Sequence, residues 1–314
     1  MKSITFTLFT FQCIERFEKN GRFSTAHLYK CALHSFSLFL KKASVSFLDL
    51  TRDCLKAYEQ WLEDQGKLPN TISTYLRMLR SIYNKGIDHG LAPYKRRLFH
   101  NVYTGVDIRH KKSLDRNDIH TLLYKDPGSE TLRKTQLAAR LSYQLCGMPF
   151  VDLTHIQKSD IEGDTLEYRR MKTGTTVRVR LLPQTIETIH YLKKKLAEKG
   201  KTGEKSPTLL HLFHCDHSFR SLKGYIEYQK ALCKFNAQLK RLSKRLKIRK
   251  HITSYTLRHS WATAAKYTGA PIEMISELLG HKSIKTTQIY LAAFDDNELA
   301  KVNQRVYKYA ECER

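Results

Sequence analysis

A chain of 314 residues, 41% of them hydrophobic, is long enough for two domains with cores of their own. Lys and Arg number 55 against 30 Asp and Glu, a formal net charge of +25, which points to a polyanionic partner. No stretch approaches the roughly 20 continuous apolar residues of a spanning helix, which argues against a membrane protein. The Phe-rich start Met1–Cys13 is broken by Thr5, Thr7 and Thr10 and lacks a small-residue cleavage site, so it is not read as a signal peptide. Seven cysteines without a Cys-x-x-Cys pair read as reduced thiols of a cytoplasmic protein.

Residues 1–106 read as an all-helical domain. Phe6, Phe9, Cys13 and Phe17 recur at helical spacing, and Asn20-Gly21 ends that element. Ser24 is expected to cap a helix that turns Leu28, Ala32, Phe36 and Phe39 inward. Thr51 opens a third, with Leu55, Tyr58 and Leu62, closed by Gly66. Asn70 is expected to cap a fourth, with Ile72, Tyr75, Leu76, Leu79 and Tyr83, that ends near Gly86. Four such amphipathic helices can bury one core. Arg77, Arg80 and Lys85 fall outside the apolar stripe of the last helix and are candidate contacts to a polyanion.

Asn101–Ser113 reads as a linker, with Gly105 and the basic run His110-Lys111-Lys112, and a second domain over 107–314 starts its first helix at Ser113. Thr131–Cys146 reads as a helix ended by Gly147 and Pro149. Thr165–Met171 and Thr176–Leu182 alternate apolar and charged residues, as in a hairpin with Lys172-Thr173-Gly174 at its turn. Between Arg220 and Lys250 lie eleven Lys or Arg and one acid, Glu227. Tyr225, Tyr228, Leu232, Phe235, Leu239, Leu242 and Leu246 step by threes and fours, which leaves Lys240, Lys244, Arg245 and Lys247 off the packed face. Contacts from such a face to phosphates position a partner rather than specify it. His211, His214, Cys215 and His217 cluster, but their spacing matches no zinc pattern, and no metal or cofactor is expected.

The stretch Ser254–Tyr290 carries the chemistry. Ser254 is expected to cap a helix with Leu257, Trp261, Ala264 and Ala265 inward and Arg258 at the edge of that stripe. Gly269-Ala270-Pro271 separates it from a helix over Ile272–Leu279, Gly280 presents His281 in a turn, and Ser283–Ala293 forms a short helix bearing Tyr290. Asp295–Arg314 reads as a terminal helix with Leu299, Val302 and Val306 on one side. Arg258, His281 and Tyr290, spaced by 23 and 9 residues, suit phosphoryl transfer. An arginine offers a permanent charge and a forked donor set, and a histidine donates near neutral pH. A tyrosine can be a covalent nucleophile when activated.

Leu257-Arg258-His259, Leu279-Gly280-His281 and Ile289-Tyr290 closely resemble the second box of the tyrosine recombinase (phage integrase) family, with Tyr255 where the family usually has a first histidine. The resemblance covers nearly the whole chain, most densely residues 141–294. It implies a mainly α fold with a small β-sheet: a helical core-binding (SAM-like) domain and an α+β tyrosine-recombinase catalytic domain. It further implies a site-specific recombinase that cuts and rejoins double-stranded DNA at paired sites through a 3′-phosphotyrosyl bond, as a tetramer. On this resemblance Tyr290 is the nucleophile, Arg258 and His281 stabilise the charged phosphorane, and Lys172 is the general acid. Tyr255 supplies a hydrogen bond in the histidine's place.

The family's first box has the form Gly-x-Arg-x-x-Glu/Asp-Leu. Here the run is Gly147-Met148-Pro149-Phe150-Val151-Asp152-Leu153, and Pro149, which has neither charge nor amide hydrogen, replaces the arginine. The chain resembles integrases and DNA invertases of mobile elements that have lost this residue, and Arg140 on the preceding helix is the candidate substitute. Two rival readings are a type IB topoisomerase, which shares the tyrosine chemistry, and a catalytically inactive DNA-binding protein. The shortness of the N-terminal part favours inversion or a simple integrase.

Overall fold

The computed structural model describes residues 4–107, 113–197, 209, 217–291 and 296–311, without the side chains of 195–197, 289–290 and 296–298. Chain contacts divide the molecule into two compact units, Met1–Arg109 with His217–Ile226, and His110–Asp216 with Glu227–Arg314.

The first unit is built on α1 (Phe6–Lys19), α2 (Phe23–Leu40), α3 (Arg52–Asp64) and α4 (Pro69–Asp88). Phe6, Tyr29, Phe36, Tyr58, Leu76, Leu79, Ile82 and Tyr83 form its core. Each buried tyrosine has an outlet for its hydroxyl, as such groups require. Tyr29 meets Ser81 at 2.8 Å, Tyr58 donates to Ser35 at 2.8 Å, and Tyr83 donates to the Pro93 carbonyl at 2.9 Å. Two expected caps are corrected. The α2 helix starts at Phe23, one residue before Ser24, and Leu28 points to solvent while Tyr29 and Leu33 point inward. The α4 helix starts at Pro69, and Asn70 instead clamps the Asp107 backbone with two 2.9 Å bonds. The α4 helix ends at Asp88, two residues past Gly86, where a Cβ would meet the Phe47 ring at 2.4 Å. The segment 217–226 belongs to this unit through the stacking of Tyr225 on Phe23, ring centroids 5.3 Å apart.

The second unit begins with α5 (Arg116–Tyr124), capped by Asp115 rather than opened at Ser113, then α6 (Glu130–Gln144) and α7 (Phe150–His155). A three-stranded antiparallel sheet follows, β1 (Ile161–Glu162), β2 (Thr165–Arg169) and β3 (Thr176–Arg180), in the order β1-β2-β3. Leu166 pairs with Val179 and Tyr168 with Val177, so the apolar halves of both strands share one face. Beyond α8 (Pro183–Ala197) come α9 (Leu222–Arg245), α10 (Ser254–Tyr267), α11 (Ile272–Leu278), α12 (Ile284–Tyr290) and α13 (Asp296–Glu311). One core gathers around α9, where Phe235, Leu239 and Leu242 meet Leu122, Phe150 and Leu257. Another lies under the sheet, joining Leu141, Met148 and Leu153 to Leu166, Val177, Val179 and Leu192. The fold is mainly helical with one small sheet, as the sequence led one to expect.

Candidate active site

The cap of α10 is Thr253, in a reciprocal box with Thr256, and Ser254 is the first helical residue. This setting carries Arg258 into the interior. It is not at the edge of the helix stripe but only 1% exposed, the bulkiest of the fully buried side chains among the described residues. Burying a guanidinium is costly unless its donors are satisfied. Arg258 Nη1 donates to the Gly147 carbonyl at 3.0 Å, and Nη2 donates to the Leu279 carbonyl at 2.5 Å and lies 3.3 Å from His281 Nε2. Gly147 has a left-handed backbone with φ +66°, and a Cβ there would come within 3.0 Å of the Arg258 Cα. That glycine is therefore what lets the carbonyl reach the guanidinium.

His281 follows Gly280, whose φ is +62° and whose missing Cβ leaves room for Val177 at 2.7 Å and Arg170 at 3.0 Å. Its Nδ1 lies 2.9 Å from the hydroxyl of Thr287, which is 0% exposed on α12. Tyr290 closes the same helix, one turn beyond Thr287, and its side chain lies outside the described residues.

A second buried cation, Arg170, is 4% exposed and donates from Nη1 to the Gly280 carbonyl at 3.0 Å, with Thr173 adding a bond to the same oxygen at 3.3 Å. Consecutive carbonyls, Leu279 and Gly280, are thus held by two arginines from different elements. Arg170 Nε lies 3.8 Å from Asp152 Oδ2, an ionic contact too long for a hydrogen bond, and both atoms are buried without a hydrogen-bond partner. The other oxygen of Asp152 accepts from the Met171 amide at 2.9 Å. Burial pushes the Asp152 carboxyl up to about 6, against the pull of that amide and of Arg170 and Arg258.

Arg140, by contrast, donates to the Leu123 carbonyl and lies over the Tyr124 ring, 4.6 Å from its centroid. Pro149 precedes α7 with φ −60°, and its carbonyl accepts from Leu153 at 2.9 Å. Lys172 is exposed in the hairpin turn that Arg170 and Thr173 tie to Gly280. Tyr255 is 47% exposed in the first turn of α10, its ring beside His259 at 5.8 Å. Arg77, Arg80, Lys240, Lys244 and Lys247 are exposed, whereas Lys85 is half-buried over the Phe17 ring at 4.8 Å. His211, His214 and Cys215 lie outside the described residues, and no group able to hold a metal ion occurs among the described ones.

The sequence reasoning missed Arg170 and Thr287. A signal for Arg170 was present: Leu166 and Tyr168 face inward, so the alternation assigns position 170 to the interior, where a charge needs a reason. Thr287 carried no comparable signal.

Two buried guanidiniums and an imidazole gathered beside a helix that ends in tyrosine suit a developing negative charge on phosphorus. The class that this fold and site define is a tyrosine-dependent strand-transfer enzyme. Residues 112–297 match the family model described as the phage integrase family, and residues 5–99 match the phage integrase SAM-like domain. The chain belongs to the phage integrase family, the tyrosine recombinases. Curated relatives include tyrosine recombinase XerD of Listeria monocytogenes, 24% identical over 85% of this chain and 87% of the relative. The XerD of Pseudomonas putida is 26% identical over 87% and 88%. Among solved structures, XerH bound to palindromic difH has TM-score 0.67 at 20% identity over 88% of this chain and 78% of that one. The lambda integrase dimer on a COC′ core site has TM-score 0.62 at 17% identity, over 85% and 90%. At these identities the structural likeness speaks for the fold.

Proposed function

We propose that this site-specific recombinase cuts DNA with Tyr290. The Tyr290 hydroxyl releases its proton to solvent as its oxygen bonds to the scissile phosphorus, the bond to the 5′ oxygen breaks, and Lys172 gives that oxygen a proton that it regains from solvent. The energy of the phosphodiester is kept in the phosphotyrosyl bond, and the reverse attack by a 5′ hydroxyl rejoins the strands. Arg258 and His281 stabilise the phosphorane. The observation that carries this reading is the burial of Arg258 at 1% exposure, with His281 on its Nη2 and both joined to the turn that precedes α12. We assign the role vacated at Pro149 to Arg170 rather than Arg140. Support comes from its ion pair with Asp152, in the same box as Pro149, and its bond to Gly280 beside His281.

The partner is double-stranded DNA with paired recombination sites, worked on by a tetramer, and the exposed Arg77, Arg80, Lys240, Lys244 and Lys247, together with Lys85, contact its backbone. XerH and lambda integrase, solved on their DNA substrates, share the fold. Among the described residues no helix is long and apolar enough to cross a membrane, and five cysteines are free thiols, which fits a cytoplasmic enzyme of a mobile element.

A nicked suicide substrate tests the reading. The wild-type protein should accumulate a covalent adduct, while Tyr290→Phe should give none yet bind DNA as well; cleavage by that variant would assign the nucleophile elsewhere. Lys172→Ala should be slow on ordinary DNA and regain most of its rate with a 5′-thio leaving group, which departs without a proton. No regain would remove Lys172 from the acid role.

A further inference from the structure

The structure assigns Thr287 as a positioning residue that sets the tautomer and ring orientation of His281 from the helix that carries Tyr290. The assignment rests on the reading of His281 and Tyr290 given above. Each ring nitrogen of His281 has a partner of a different kind. Arg258 Nη2, 3.3 Å from Nε2, is always protonated and can only donate. Nε2 must therefore accept, so a neutral ring carries its proton on Nδ1. The Thr287 hydroxyl, 2.9 Å from Nδ1, is the acceptor for that proton. A ring held at one nitrogen pivots about its χ2 torsion, which is broad. Held at both, it stays in the plane that Arg258 and Thr287 define.

The location of Thr287 gives the contact its consequence. It is fully buried on α12, a helix of seven residues that ends at Tyr290, and its carbonyl accepts the Leu291 amide at 2.8 Å just past the helix end. Thr287 and Tyr290 are three residues apart, so they stand one turn from each other. Seating α12 and fixing His281 are thus a single event. Nδ1 keeps Thr287 as its acceptor, so the ring is oriented from α12 before the phosphate arrives. An α12 that is not seated leaves both the nucleophile and the histidine out of register, which would couple the two groups without a contact between them.

The test reads the histidine directly and then the chemistry. Long-range nitrogen–proton NMR of the wild-type protein should show neutral His281 with its proton on Nδ1; a proton on Nε2 would overturn the assignment. Thr287→Val keeps the branched shape and removes the acceptor, and should slow single-turnover cleavage roughly tenfold, the worth of about one hydrogen bond in the transition state. Thr287→Ser, which restores the hydroxyl, should recover most of that loss. In a His281→Ala background, Thr287→Val should add less than about a twofold effect, since the residue acts through the ring. An equal loss in that background, or a serine variant as slow as the valine one, would reduce Thr287 to helix packing. The NMR result needs neither a variant nor Tyr290 chemistry. An error in the nucleophile assignment therefore cannot pass for an error here.

Discussion

The helical core of the first unit and the arginine cluster of the second are both buried, but they are buried for opposite reasons. Around Phe36, Tyr58 and Leu76 the interior is apolar, and its polar tips find partners along the helices or in the next loop. Around Arg258 the interior holds two guanidiniums and a carboxylate, bonded to carbonyls and an amide from segments far apart in sequence (Gly147, Met171, Leu279 and Gly280), while Arg170 Nε and Asp152 Oδ2 have only their 3.8 Å ionic contact. The first region gains from leaving water. The second loses solvation, which it offsets only through directed bonds, and it retains charge where an anion can use it. Damage should therefore appear as lost stability in one region and as lost chemistry in the other.

The largest contrast is expected between two arginines. Arg170→Ala should slow single-turnover cleavage by about 100-fold or more, as for loss of one transition-state donor, whereas Arg140→Ala should remain near the wild-type rate. Restoring the family's arginine with Pro149→Arg should make cleavage no faster, because the phosphate already has its second cation. Equal rates for the two alanine variants, or a large gain from Pro149→Arg, would return the vacancy to the site.

The complementary change is Leu76→Ala in the first unit. It should cost about 2–5 kcal/mol of stability by removing buried methyl groups, measured by denaturant unfolding, and leave the cleavage rate of folded, DNA-saturated protein within a few-fold. A cleavage defect with no loss of stability would break the contrast.

A smaller effect lies at Asp152. Because its carboxyl is pushed up to about 6 from 3.8, the folded state prefers the protonated form. The associated stability is therefore complete at pH below about 4 and lost as pH rises through about 6, amounting to about 3 kcal/mol. Asp152→Asn keeps an acceptor for Met171 and does not titrate, so it should flatten the dependence of the melting midpoint on pH across that window. An unchanged slope would mean that Arg170 and Met171 compensate the buried charge fully.

Much of this molecule was legible before its structure. Helical spacing placed Leu55, Tyr58, Leu62, Leu76 and Leu79 in one core, because an amphipathic helix must hide its apolar face wherever it lies. Strand alternation placed Val177, Val179 and Leu181 on one side for the same reason. The motifs Leu257-Arg258-His259, Leu279-Gly280-His281 and Ile289-Tyr290 identified the family by their resemblance to its second box. Cap positions were less legible: Pro69 and Phe23 begin their helices ahead of the polar residues expected to cap them, and at the first of these the Asp107 backbone claims the Asn70 side chain.

Only the tertiary structure decided how the charges are held. The sequence assigned Arg258 to a helix edge, and the Gly147 and Leu279 carbonyls bury it. Arg140 looked available and is engaged by Leu123 and Tyr124, whereas Arg170, unremarked beside Lys172, is brought to Gly280 by the hairpin. The physical reason is the range of the forces. Apolar periodicity is a property of each helix or strand alone, but a buried cation is stabilised by whichever carbonyls the folded chain brings within about 3 Å of it, and here they come from positions 21 to 111 residues away.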